Sequence, residues 1–332
     1  MNLIQKLKAL RGIPGFHSLC LKEGQTPSDF EVATQILSVC AYRKRIGPMT
    51  FFGNTEALKW LEDSKIAPLY DEVLELVVDP DIDQKTFWAA GKIEALRCMT
   101  APCIGLDTDC VLFRRPTLNT DVVALHSEPF DWQVYQSSPM RDRMAETIFG
   151  WYAEVYHLNG KVGKNYIPPA NCAVVGMFDE GVRLAYVRAA ERVMLDESEK
   201  PSMTDADRIV IEGSSVTEMV LAEQLLLSWI VGLFNKNISF IGELDVARDH
   251  MVPNPDCYHL WNSKRFYRQH SRAREHYIEW VMERMRSDGL LDKTVMTAVA
   301  VNNLPTRRVV DGNTGAVRWS HQTEWTGPGE IE

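Results

Sequence analysis

Apolar and polar positions alternate in two rhythms along the first hundred residues, a short extended one and a longer helical one. Phe16 to Leu21 reads as a strand. Thr26-Pro27-Ser28-Asp29 then reads as a helix start that Ser28 or Asp29 can cap, and an apolar stripe follows through Val32, Ile36, Leu37 and Cys40. Arg43-Lys44-Arg45 closes that helix, where cations suit its dipole. Met49 to Phe52 is a second strand, Asn54 caps a second helix through Leu58 and Leu61, and Val73 to Val78 is a third strand. A third helix, Thr86 to Met99, carries Phe87, Trp88, Ile93 and Leu96. Strands alternating with helices predict βαβ units, hence an α/β fold with a mainly parallel sheet that binds ligands beyond the carboxyl ends of its strands.

The rest of the chain is less regular. Asp121 to His126 is expected as a strand, Pro139 to His157 as an aromatic-rich helix, and Ile167 to Gly176 as a strand of small residues that includes Asn171. Asp179 starts a helix to about Leu195, with Glu191 to Lys200 reading as a solvated turn. Val216 to Phe234 is apolar nearly all round, which means burial on most faces. Lys264 to Arg286 reads as one amphipathic helix, Arg307 to Trp319 as a hairpin, and the last dozen residues as a frayed end.

The third helix leads into Pro102 to Phe113, where two apolar runs flank Asp107-Thr108-Asp109. Alternate residues of an extended chain point the same way, so both carboxylates can face one spot. Ionised side by side they repel, and a hard divalent cation relieves that repulsion while keeping positions open for phosphate oxygens and water. An acid-rich turn between two strands is the plainer reading of the same tripeptide. The apolar flanks favour the metal, because such runs belong inside a core.

Composition narrows the field. The chain has 332 residues, 45% hydrophobic and 24% charged, enough for one large α/β domain or two smaller ones. A net charge of −9 argues against direct nucleic-acid binding and against an anionic membrane surface. No apolar run reaches the ~20 residues of a transmembrane segment, and no secretory pattern opens the chain. Seven cysteines without a C-x-x-C pair indicate neither a disulfide framework nor a zinc ribbon, so a cytoplasmic home is expected. Neither G-x-G-x-x-G nor a Walker pattern is present.

Two further places carry polar chemistry among apolar neighbours. Glu223 and Gln224 interrupt the apolar helix, so Glu223 needs a partner or a polar cavity; a core glutamate satisfied by a neighbouring cation or amide is the plainer alternative. Asp256 to Arg265 brings His259, Trp261, Asn262 and Lys264 together, a recipe for gripping phosphate beside a metal, or else an aromatic loop with a solvated basic end.

In their order these features resemble the GT-A fold glycosyltransferases, nucleotide-sugar enzymes with a D-x-D motif. The resemblance is nearest to the retaining glycogenin and lipooligosaccharide galactosyltransferase type, and to related uncharacterised bacterial glycosyltransferases. It covers roughly residues 14 to 265 and implies a GT-A, Rossmann-like domain over 1–265. A C-terminal helical extension and tail, 266–332, would pack on it. Asp107 and Asp109 match the metal motif. Lys92, in Trp88 to Leu96, matches a basic residue of the preceding helix that approaches the donor. Asn171 matches the asparagine of the N-a-G strand near the sugar, although Ala173 replaces the family glycine. Glu223-Gln224 stands where the family has a D-Q pair. His259 and Lys264 resemble the H-x-x-G-x-x-K element, source of a third metal ligand and a diphosphate-binding lysine, but the glycine is absent and the lysine one residue closer.

The resemblance thus implies a Mn²⁺- or Mg²⁺-dependent hexosyltransferase using a UDP-sugar, with Asp107, Asp109 and His259 on the metal and Lys92, Lys264 and Asp107 toward the donor. Glu223, Gln224 and Asn171 would act on the sugar, with retention of configuration. The acceptor is open among glycan, protein, small molecule and modified nucleobase. A nucleotidyltransferase with the same acids, or a non-catalytic sugar- or nucleotide-binding protein of this fold, are the rival readings.

Overall fold

The structure is a computed structural model, and it describes residues 12–116, 120–129, 135, 140, 141, 143–145, 161–162, 165–166, 168–198, 210–211, 214–215, 217–245, 250–252, 254–260, 263–310 and 317–320. In chain order the main strands are β1 Gly15–Leu19, β2 Met49–Gly53, β3 Glu72–Glu75, β4 Cys103–Leu106, β5 Cys110–Leu112, β6 Val122–Ala124, β7 Val174–Met177, β8 Ile238–Phe240, β9 Cys257–His259, β10 Arg307–Val310 and β11 Val317–Ser320. The helices are α1 Asp29–Arg45, α2 Thr55–Asp63, α3 Ala90–Cys98, α4 Glu180–Ser198, α5 over 217–233, α6 Ser263–Gln269, α7 Ser271–Ser287 and α8 Lys293–Val301. Central strands that pair mostly in parallel, flanked by helices, bear out the α/β class read from the alternating rhythms. Among the described residues no helix is long and apolar enough to cross a membrane.

The chain forms two compact units, one from the described parts of Met1–Glu75, Asp107–Arg115 and Pro255–Glu332, the other from those of Leu76–Leu106 and Pro116–Asn254. In the first, β1, β2 and β3 pair in parallel, with Gly15 opposite Met49 and Thr50 opposite Glu72. Parallel neighbours need crossovers, and α1 and α2 supply them. The caps fall where expected: Glu31 accepts from the Ser28 amide (3.1 Å) and hydroxyl (2.5 Å), and Asn54 Oδ1 from the Ala57 amide (3.1 Å). Each such cap stabilises its helix by about 1 kcal/mol.

Helix α1 departs from its expected single stripe. Thr34, Gln35 and Ser38 are buried together with Val32, Ile36 and Leu37, because β2, β5, α7 and α8 all pack on it. The third strand is shorter than Val73 to Val78 and its four residues are exposed, as befits a sheet edge. The expected helix from Lys264 to Arg286 divides into α6 and α7 at His270, whose backbone is extended. β10 and β11 form the anticipated hairpin, with Val310 opposite Val317. Its turn lies outside the described residues, as do residues 1–11 and 321–332.

In the second unit the strand order is β8-β6-β7-β4, with β7 antiparallel to both neighbours and β8 parallel to β6. Helix α3 starts at Ala90, not Thr86, because Asp83 takes the preceding residues into a turn, accepting from the Lys85 amide and the Thr86 hydroxyl. Helix α4 runs on to Ser198 through the expected turn; Glu191 and Glu197 are paired with Arg97 and Arg143. The strand around Asn171 contracts to β7, since Asn171 Oδ1 accepts the Ala173 amide (3.1 Å) in a side-chain turn. Of the helix expected over Pro139 to His157, only 140, 141 and 143–145 are described, all helical. Helix α5 opens at Leu221–Leu225 into a π turn that holds Glu223 and Gln224.

Candidate metal centre

The acid pair lies in the turn that leads along the chain from β4 to β5. Asp107 follows β4 in the chain, and the Cys110 amide bonds back to the Asp107 carbonyl (2.9 Å), so Asp107-Thr108-Asp109 is a turn and not the extended tripeptide that alternation suggested. Strand β5 leaves the turn and pairs antiparallel with β9, placing His259 opposite Cys110; the Leu260 amide adds a bond to the Asp109 carbonyl (3.1 Å). One ligand atom each from Asp107, Asp109 and His259 then lie within 4.8 Å of one another. Ligands about 2.1 Å from an octahedral ion stand roughly 3 to 4.2 Å apart, so small side-chain adjustments would close the set. Two carboxylates and an imidazole suit Mn²⁺ better than the oxygen-loving Mg²⁺. Asp109 Oδ2 is buried and is the oxygen on which the neighbouring groups converge.

A lysine and an imidazole already attend this oxygen. Lys264 Nζ, on α6, stands 2.7 Å from Asp109 Oδ2 and His259 Nε2 stands 3.6 Å from it. Burial would push the Asp109 carboxyl up, but Lys264 and then His259 outweigh it and hold the group well below the usual carboxylate range. Burial would pull the Lys264 ammonium down; Asp109, then Glu31 and Asp107, hold it above the ordinary lysine value. Glu31, 3.8 Å from Lys264 and 3.3 Å from Arg268, joins the N-terminal cap of α1 to this cluster. The side chain on the other face of β9, Tyr258, stacks in an aromatic cluster with Tyr277 (5.8 Å between ring centres) and Trp280 (5.1 Å). Each such pair adds about 0.5–1.5 kcal/mol beyond burial and holds β9 against α7.

Beneath the turn runs a hydrogen-bond chain that sequence reasoning missed. Gln35 Nε2 donates to Tyr70 Oη (2.8 Å), which meets His17 Nδ1 (2.7 Å). His17 Nε2 meets Ser38 Oγ (3.1 Å), and Ser38 donates to the Cys110 carbonyl (2.6 Å). Since Ser38 spends its proton on Cys110, the His17 proton is assigned to Nε2, with Tyr70 donating to Nδ1. Burial pushes the His17 imidazolium down to about 3, despite the opposing charge of Asp109. The one available signal was a helical polar stripe, Thr34, Gln35 and Ser38, facing a histidine in an apolar strand.

The remaining candidates gather in the second unit, in a separate buried network. Lys92 Nζ lies 2.7 Å from Glu223 Oε1 and donates to the Cys172 carbonyl (2.9 Å), both side chains being almost fully buried. The Glu223 carbonyl, within the π turn, accepts from Tyr186 Oη (3.0 Å). Asn171 Nδ2 donates to Glu128 Oε1 (2.9 Å), and Tyr135 donates to Glu128 Oε2. The Gln224 amide nitrogen reaches Tyr135 Oη (2.7 Å) and Glu128 Oε2 (2.8 Å), the orientation that satisfies both ends of the amide. Glu128 and Tyr135 were not legible as candidates, for nothing adjacent to them in sequence marks them. Thus Asp107, Asp109, His259 and Lys264 come together, and Lys92, Asn171, Glu223 and Gln224 come together, each set within its own unit.

No protein-family model matches the chain, and no curated protein sequence does. Among solved structures the chain is similar to a galactosyltransferase, LgtC, in complex with donor and acceptor sugar analogues: the TM-score is 0.38 at 9% identity, over 77% of this chain and 94% of that one. An active-site mutant of LgtC gives 0.38 at 11% identity with the same coverage, 77% and 94%. At these values the likeness carries no argument about chemistry.

Proposed function

We propose that this chain is a metal-dependent glycosyltransferase that moves a sugar from a nucleotide-sugar, by default a UDP-hexose, to a hydroxyl acceptor with retention of configuration. One observation carries the reading: two carboxylates, an imidazole and a lysine from distant stretches of sequence meet at one partly buried, charge-dense spot. Asp107, Asp109 and His259 would hold the ion, Mn²⁺ in preference to Mg²⁺. When bound, the ion would supply Lewis-acid stabilisation of the charge that develops on the departing diphosphate. Lys264 serves the same charge as a point donor. Glu223, Gln224 and Asn171 orient the sugar and stabilise its cationic transition state, and Lys92 acts on the donor side through the Glu223 carboxylate that it pairs. The GT-A domain over 1–265 and the extension over 266–332 belong to this proposal, as does a cytoplasmic setting.

Incubation with UDP-hexoses and Mn²⁺, followed by product analysis, tests it. Free UDP must appear, because cleavage of the sugar–phosphate bond leaves the diphosphate on the nucleoside. Release of UMP or of pyrophosphate would instead mean attack at phosphorus. A melting-point rise with UDP-sugar, but no turnover under any condition, would indicate a binding protein.

A further inference from the structure

We infer that Lys264 is a resident counter-ion of the acid pair, so that a divalent ion must displace it from Asp109, and does so readily only when a diphosphate arrives to receive the freed ammonium. The inference rests on the proposed metal site. Lys264 Nζ lies closer to Asp109 Oδ2 (2.7 Å) than His259 Nε2 does (3.6 Å), so ion and ammonium compete for one oxygen. That oxygen is buried, and no well-directed hydrogen bond ties it elsewhere.

The charge balance points the same way. Asp107, Asp109 and Glu31 face Lys264 and Arg268, so much of the attraction that a bare dication would feel is already answered. Expelling the ammonium without a new anionic partner is unfavourable, since its side chain is only 32% exposed. Glu31, 3.8 Å away, is a poor substitute because Arg268 and the Ser28 cap already engage it. A diphosphate supplies the missing partner. Metal and diphosphate therefore bind with positive coupling, and the coupling is reciprocal.

The test is Mn²⁺ binding without nucleotide, read from the paramagnetic resonance signal of the free ion, for wild type, Lys264→Met, Lys264→Arg and Arg268→Gln. Lys264→Met should bind Mn²⁺ at least about ten-fold more tightly than wild type, within the usual range of coupling between sites. Lys264→Arg keeps the cation and should stay near wild type. Arg268→Gln removes a nearby charge that does not touch Asp109 and should change affinity by less than about three-fold. Adding UDP should reverse the order, wild type then holding Mn²⁺ more tightly than Lys264→Met. If Lys264→Met does not fold, Lys264→Gln must show the same sign. Equal or weaker Mn²⁺ binding by the Met variant without nucleotide would overturn the inference while leaving the metal site standing. Absence of Mn²⁺ binding in all the proteins would remove the site itself and the inference with it.

Discussion

The two polar clusters differ in kind. Around Asp109, several ionisable groups crowd together and their lysine is partly open to solvent, with a side chain 32% exposed. Around Glu223, the side chains of the ion pair are only 6% and 3% exposed, and the surrounding amides, hydroxyls and carbonyls answer one another. The first arrangement can exchange partners with an incoming ion; the second holds a fixed geometry that is costly to disturb. Function proposed for the first therefore depends on what it can release. Function proposed for the second depends on what it keeps in place.

Substitution should break that contrast most sharply at the acids. Asp107→Ala or Asp109→Ala should lower metal-dependent UDP-sugar turnover about 10⁴-fold, equivalent to ~5.5 kcal/mol of activation free energy. Both variants should still unfold cooperatively, Asp109→Ala at a modestly lower melting point because it strands the partly buried Lys264 ammonium. Retained turnover in either variant would place the metal elsewhere.

The second cluster should respond in stability. Lys92→Met leaves a buried carboxylate without its cation and should cost about 3–5 kcal/mol in urea unfolding. The double variant Lys92→Met/Glu223→Met should recover most of that loss, since neither charge is then stranded. Strict additivity of the two losses would mean that the pair does not act as a unit.

Lys264→Ala gives the intermediate effect. Calorimetric titration with UDP in the presence of saturating Mn²⁺ should show binding weakened by about 1.5–3 kcal/mol, the usual worth of a hydrogen bond to a charged group. No comparable change is expected from Arg268→Gln, whose guanidinium faces Glu31.

The last effect lies beneath the metal turn and leaves turnover aside, appearing as stability lost with falling pH. His17 is neutral in the fold, with its pKa pushed down to about 3 by burial, whereas an unfolded histidine titrates near ~6.5. Below that value the unfolded chain binds the extra proton, so this contribution to stability is whole above it and is lost as pH falls toward the folded value. The slope is about 1.4 kcal/mol per pH unit. His17→Gln should be less stable at neutral pH but should lose this slope when unfolding is followed across a pH series. Parallel pH profiles for wild type and variant would refute it.

Local chemistry made several features legible. The caps at Ser28 and Asn54 need only residues within three positions of each other. The alternating rhythms gave the α/β class for the same reason. Asp107 and Asp109 stood out because acids between apolar runs are unusual, although the tripeptide turned where extension was expected. Asn171 was found as a residue type but placed in a strand, because its own side chain makes the turn that precedes one.

What the amino-acid order determined by itself, then, is the class of fold, the ends of its early helices and the acid pair, all set by neighbours in the chain. Tertiary structure alone decided that β9 lies beside β5 and sets His259 opposite Cys110, and that Lys264 settles on Asp109. It likewise decided that Lys92 answers Glu223, 131 positions away. A buried charge must find a partner, but nothing local says which one; that choice follows from strand pairing and close packing, where contact no longer depends on separation along the chain.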